Sequence, residues 1–531
     1  MFVGEKMVSS DIWMGSGATV SMIPEQDINL GTFASIAGAS GNQRVITLNS
    51  TFTTNFSLVA NLYRGCYLNI HKASDDVLTD RVLIQANDAT TLTVNNSLAS
   101  AITTTATDYY GIIEQYGAPV PAPKVSSNPA LLSDTWLGLV SSVTIPSTNV
   151  TTDTMNLVAG GTRNFIYQYK GIEETSGGSI DMMANSFWPL YYALGKKSIT
   201  TPAGAETAET PTDDFTLSGS PTGTGFIYSE DEDTIHRTEG TTICPPLAAT
   251  STLANHLLIN NDDVENDFIT YTITEENGHT LPSFALEYTL KKADQNATVA
   301  VDSAKENVYT KIYPGTVINT LTMNADVSGP VSMNLSLAHK NTFVAPTDYQ
   351  TLNGATDVKN FINYRGRQGQ TDTLASDSDA DTEPLMRPFF FADGTISMFG
   401  QDYIRLASFN LSINNSLQPQ RYIGRYDKNS QVQLTGQREY ELSFTGHVTD
   451  AAVFTELQNQ LATALSSATS EIVLRFTKEN GEELTMKFRD YMVITANFPV
   501  TNDRGPVVVD WTIRPLTMQE CTHTTYWAIQ G

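Results

Sequence analysis

Apolar and polar residues take turns along most of this chain. The pattern recurs at Val45–Leu48, Arg81–Gln85, Thr91–Val94, Leu139–Ile145, Ser283–Leu290, Thr316–Met323, Val331–Leu337, Ile404–Ile413, Glu439–Phe444, Glu471–Thr477, Met492–Phe498 and Val507–Ile513. These runs are rich in Val, Ile, Thr or Tyr and end at Gly, Asn, Asp or Pro, as half-buried strands between turns do. Two segments keep helical spacing instead. In Ser186–Leu194 the side chains of Phe187, Tyr191 and Leu194 share one stripe. Ser186 stands where a cap would, Pro189 suits the first turn, and Gly195 stops the helix with Lys196 and Lys197 beside its negative end. In Asp450–Ser467, Phe454, Leu457, Leu461 and Leu465 recur on one face behind Asp450 as cap.

The order of these elements repeats. Thr316–Leu335 reads TVINTLTMNADVSGPVSMNL and Met492–Trp511 reads MVITANFPVTNDRGPVVVDW. Each is a pair of apolar runs joined by a turn that ends in Gly-Pro-Val, at Gly329–Val331 and at Gly505–Val507, 176 residues apart. Upstream, Ser283–Lys291 parallels Glu471–Glu479, and a helix precedes each. Strands Gly178–Met182 and Tyr440–Phe444 come before the helices, and Leu139–Ile145 and Leu406–Ile413 come earlier still. The first copy holds a long insertion, placed after Gly195. Each copy is β-β-helix-β-β-β, a domain-sized duplication. Residues 25–123 lie outside both copies and read as a separate small β unit, closed by the Pro-rich linker Gly117–Lys124. Thr200–Thr224, rich in Thr, Pro, Gly and Ala, and the polar stretch Gln368–Glu383 read as surface loops.

Composition narrows the function. With 31 Lys+Arg against 57 Asp+Glu over 531 residues, the net charge is −26. Such a surface lacks the cations needed to grip phosphates or an anionic membrane. No run approaches the length of a membrane span, and the N-terminus shows no apolar signal core. Cys66, Cys244 and Cys521 are odd in number and far apart, which fits buried free thiols better than a disulfide framework or a zinc site. The seven histidines form no metal-binding spacing. DSDADTE at Asp377–Glu383 departs from a calcium loop, with Thr382 at the glycine position and Pro388 at the glutamate position. GSGATV at Gly15–Val20 lacks the third glycine of a nucleotide fingerprint. No catalytic residue, cofactor or metal site is expected, and no enzyme activity.

Three stretches resemble the tail tube (major tail) proteins of tailed bacterial and archaeal viruses: Gly171–Gly195, Tyr313–Ser336, and Leu406–Gly424 leading into Gly436–Gly446. The resemblance covers roughly 135–195, 283–337 and 404–515, and leaves out 25–123 and both long loops. It implies a mainly β fold: two tandem tube domains, each a β-sandwich or barrel with one flanking helix, plus an accessory N-terminal β domain. The expected division is an arm at 1–24, the accessory domain at 25–123, a first tube domain at 124–345, a linker and surface loop at 346–400, and a second tube domain at 401–531. Gly17–Glu25 in the arm is a candidate extra strand for the tube. In the family, tube domains join into rings that stack into a hollow tube conducting DNA. A tandem chain is expected to form homotrimer rings with pseudo-sixfold symmetry. Its other partners are tape measure, terminator and baseplate or tip proteins, with double-stranded DNA only passing through. The expected location is the virion tail, after synthesis in the host cytoplasm. Another β-rich virion component, a tail fibre or decoration protein, is the alternative. The connections Pro146–Arg163 and Asn414–Lys428 correspond to family loops that reach the neighbouring ring. Asn414, Asn415, Gln418, Gln420, Arg421 and Arg425 are thus the inter-ring candidates. Lumen-facing residues are expected to be acidic or neutral-polar.

Overall fold

The computed structural model of the chain describes residues 19–38, 43–49, 61–88, 90–95, 98, 102–103, 105–119, 137, 139–155, 167–200, 224–229, 234–239, 242–243, 269–278, 281–291, 308–327, 329–344, 387–398, 401–403, 406–420, 432–447, 471–478, 481–497 and 508–525. Strand β1 (Thr19–Pro24) precedes β2 (Ile28–Gly38), β3 (Gln43–Leu48), β4 (Tyr67–Lys72), β5 (Leu78–Asn87), β6 (Thr91–Asn95) and β7 (Tyr109–Ile113). The first copy opens with β8 (Leu139–Thr144), the hairpin β9 (Ser147–Met155) and β10 (Tyr167–Ser176), and β11 (Ser179–Met183). The helix Trp188–Leu194 follows, then β12 (Gly195–Thr200), β13 (Thr224–Ser229), β14 (Thr234–Glu239), β15 (Thr242–Ile243) and β16 (Ile269–Glu275). The copy closes with β17 (Phe284–Lys291), β18 (Val308–Asp326) and β19 (Ser332–Ala338), beyond which lies β20 (Phe343–Val344). The second contains β21 (Gly394–Met398), β22 (Gln401–Tyr403), β23 (Leu406–Asn414), the hairpin β24 (Gln418–Gln420) and β25 (Val432–Leu434), β26 (Glu439–His447), β27 (Ile472–Thr477), β28 (Glu483–Asn497) and β29 (Val508–Thr525).

The expected mainly β fold is what the chain adopts, and the two copies share one continuous sheet. Its path is β22-β21-β27-β28-β29-β26-β23-β18-β19-β11-β8. Within it, β27-β28-β29-β26-β23 repeats the order β17-β18-β19-β11-β8, strand for strand. Even the irregularities repeat. The β18/β19 hairpin shifts register between Ile318 and Thr320, and the β28/β29 hairpin between Val493 and Thr495. The β11/β8 pair skips one residue between Val140 and Ser142, and the β26/β23 pair skips one between Leu406 and Ser408. Bulges are positioned features of a fold, so matching bulges at matching places mark true equivalence. They put Val140 opposite Leu406 in the alignment and Ile318 opposite Val493, each one residue from the spacing read in the sequence.

Alternation places one face of this sheet in the core. Ile180, Leu321, Leu335, Leu411, Phe444 and Trp511 are all at most 2% exposed. The helix Trp188–Leu194 lies against this face, wholly buried. It begins at Trp188, two residues later than predicted, and Ser186 does not cap it. The Ser186 hydroxyl instead meets His523 Nε2 at 3.4 Å. Gly195 ends the helix with φ +116°, and a side chain there would run into Glu276. The second predicted helix, 450–467, lies outside the described residues, as do residues 201–223 and 368–383.

The N-terminal unit is a closed barrel, β2-β3-β6-β5-β4-β7. Gly31, with φ +63°, sits where β2 changes partner from β7 to β3. The glycine accommodates the bend that lets one strand serve two neighbours and close the barrel. β1 is not part of it. It pairs with β17 and so adds a strand to the first copy, as Gly17–Glu25 suggested. The Pro-rich segment begins as a docked joint and not as a free linker: Gly117 donates to Glu25 at 2.9 Å and Ala118 is fully buried.

Candidate functional site: the polar face and the seam of the sheet

The opposite face of the sheet is built from short uncharged side chains. Ser142, Ser179, Asn334, Ser336, Thr320, Thr322, Asn324, Ser408, Asn410, Ser412, Ser443 and Thr512 follow one another across seven strands, at the positions that alternate with the buried ones. Some bond to neighbours on the face. Asp181 accepts from Ser142 and Asn334, Ser332 donates to Asn324, and Thr445 donates to Asp510 at 2.8 Å. Asp181, Asn324, Asn334, Ser408, Asn410 and Ser443 line one open groove that runs across both copies. Over β8, β11, Val317–Asp326, β19, β23, β26 and Val508–Arg514, the charged residues on this face are Asp181, Asp326, Glu439, Glu441, Asp510 and Arg514. Arg514 lies 4.0 Å from Glu441, so the one cation has an anion beside it.

The two copies meet where β23 pairs with β18, from Thr320 opposite Asn414 to Asp326 opposite Ser408. Asn415 fastens this seam. It is 1% exposed, its amide donates to Ala193 O at 3.1 Å and Ile318 O at 3.0 Å, and its carbonyl accepts from Arg438 Nε at 2.8 Å. Arg438 also donates to Leu194 O at 3.1 Å. Strand β23, the helix end and β18 are thereby tied through one side chain. A second tie joins the β27/β28 turn to the start of the helix. Lys478 and Glu482, both buried, pair with each other, and Lys478 donates to Asn185 O at 3.1 Å. Lys478 also lies over the Phe389 ring, and Thr525 donates to Glu482 at 2.9 Å. Burial holds the His523 imidazole neutral, with its pKa pushed down to about 3. Its Nε2 is then free to accept from Phe187 N at 3.3 Å.

Of the inter-ring candidates, Asn414 lies in the seam opposite Thr320, and Asn415 is its buried fastener. Gln418 and Gln420 lie in the small hairpin β24/β25, Gln418 exposed and Gln420 half-buried. Arg421 and Arg425 lie outside the described residues. Arg438, which orients Asn415, was not singled out in the sequence, where nothing sets it apart from other strand-end cations. Among the described residues no group of three or more His, Cys, Asp and Glu gathers.

The fold is thus a duplicated sheet with one polar face, one buried face and a built-in seam between its two copies. A family model described as phage tail tube protein matches residues 94–513, most of the chain, and the protein belongs to that family. Its members are structural components of the virion tail. A search among curated proteins finds no match to this chain.

Proposed function

We propose that this protein is the repeating subunit of a tail tube in which three chains close each ring. Two equivalent copies side by side in one sheet carry this reading: three chains supply six copies, and a closed ring leaves no strand edge exposed. The polar face lines the lumen, through which genomic DNA passes during ejection. Several of its hydroxyls and amides are bonded within the face, and its charges are mainly carboxylates, so phosphates find little to grip. The hairpins β9/β10 and β24/β25, inserted at the same place in each copy, reach the adjacent ring, with Gln418, Gln420, Arg421 and Arg425 as contact residues. The barrel at 28–113 is an accessory domain on the outside of the tube. Tape measure, terminator and tip proteins are the partners at the tube ends, and synthesis takes place in the host cytoplasm.

Cryo-electron microscopy of purified tubes, refined without imposed symmetry, tests this. Threefold rings with six similar inner domains are expected. A ring of six chains with true sixfold symmetry overturns the trimer.

A further inference from the structure

The seam inside the chain is also a template for a seam between chains. β18 is flanked twice on one side: β17 covers it from Val308 to Thr316 and β23 from Thr320 to Asp326. Its equivalent β28 is flanked by β27 only as far as Phe488. From Arg489 to Asn497 that edge of β28 has no strand beside it among the described residues. At the other end of the sheet, β8, the equivalent of β23, pairs among the described residues with β11 alone. The chain therefore carries both halves of a second seam, one at each side.

Side-chain exposure points the same way. Val317 on β18 is fully buried beside the filled seam, whereas its equivalent Met492 is 40% exposed and Ile494 likewise. Met492 and Ile494 lie on a face where Met183 is the other exposed apolar residue along the paired strands, and they sit next to a strand edge left unpaired among the described residues, a surface suited to a partner strand. The residue that fastens the internal seam, Asn415, is matched in the first copy by another asparagine, Asn149.

We propose that β8 and the residues just after it, from a second copy of this chain, lie along Arg489–Asn497 of β28 in the register that β23 holds on β18. The pair Thr320–Asn414 then has Thr495 and Thr148 as its interchain counterpart. This assignment rests on the tail tube reading and adds which edges meet and in what register.

Cysteine pairing tests it. In a Cys244→Ser background, Thr148→Cys with Thr495→Cys is expected, after diamide oxidation of assembled tubes, to give covalent dimers and trimers on a non-reducing gel and nothing larger. Tubes mixed from the two single-cysteine proteins should give dimers only. Asn324→Cys with Asn410→Cys, opposite each other in the internal seam, is the control that closes within one chain. Normal tubes without the Thr148–Thr495 link overturn the register and leave the tube reading standing. Wild-type protein that forms neither rings nor tubes overturns both. As a second measure, Met492→Glu with Ile494→Glu should leave a folded monomer by circular dichroism and sedimentation and abolish ring closure. Normal rings from that variant also overturn the proposal.

Discussion

Asn415→Ala removes one side chain from the centre of the internal seam. In the native protein that amide serves three partners: Ala193 O, Ile318 O and Arg438 Nε. The site is closed to water, with Asn415 itself 1% exposed. Losing a hydrogen bond and leaving its partner buried costs about 1–3 kcal/mol, more where the partner is charged. Arg438 keeps its bond to Leu194 O and a carboxylate 4.0 Å away in Glu275, which softens its share. A loss of roughly 3–5 kcal/mol follows, or about 10 °C in Tm at roughly 2–4 °C per kcal/mol for a sizeable domain. Asn415→Asp separates the contributions. Its carboxylate still accepts from Arg438, but faces the carbonyls of Ala193 and Ile318 with no proton to donate. The Asp variant should therefore be unstable at pH 7 and partly recover near pH 4, where the protonated acid donates again. Differential scanning calorimetry of unassembled protein at both pH values reads this directly. If Asn415 acted only as an exposed loop contact between rings, the Ala variant would melt within about 1 °C of wild type and fail only in tube length. That result would refute the seam assignment.

Two further outcomes follow from the joint and from the polar face. Glu25, fully buried where the barrel meets the first copy, accepts from Gly117 N, Gly315 N and Ser283. Burial pushes its pKa up to about 7 from 4.5, against the pull of those donors and of Lys340. A raised carboxyl pKa stabilises the protonated form. Glu25's contribution is thus complete below about pH 4.5 and lost as pH rises through about 7, and Glu25→Gln should flatten the Tm profile in that window. A slope unchanged by the substitution would exclude Glu25 as its source. On the polar face, Asn324→Lys, Asn334→Lys and Asn410→Lys together put three cations per chain into the groove. Tubes of that variant should retain double-stranded DNA at low salt, with affinity falling steeply as salt rises. Retention equal to wild type would mean that this face does not line the lumen.

The repeat was legible because its signals are local. Two Gly-Pro-Val turns and alternating runs on either side specify two hairpins, and the flanking strands fall into order around them. What stayed hidden depended on contacts across the chain. Val508–Thr525 continues twelve residues past Ile513, although Pro515 in its middle argues against a strand. The strand survives because Pro515 lies opposite Tyr491, next to Asp490 with its φ of +51°, where the ladder already skips the pair 490/516. Ser186 has the right chemistry for a helix cap but is taken by His523, a residue 337 positions away. Asn415 read as a polar loop residue, since its burial comes from the helix end and β18, which no local pattern reveals.

In the tube proposed above, charge placement would tie the sheet to its task more closely than net charge does. A net charge of −26 could lie anywhere on the surface. Within the central polar face, carboxylates are few and dispersed, and serine, threonine and asparagine fill the rest. A dense carboxylate lining would repel DNA strongly but would also set neighbouring like charges against each other across strands. Neutral groups avoid that cost. Some of these groups are already engaged, as Ser332 is with Asn324 and Asn334 with Asp181, and carry no charge to hold a phosphate. On the proposed lumen wall, sparse anions would then be enough to keep phosphates off. Short neutral side chains with few anions among them are thus the arrangement that the proposed lumen would need to let DNA slide.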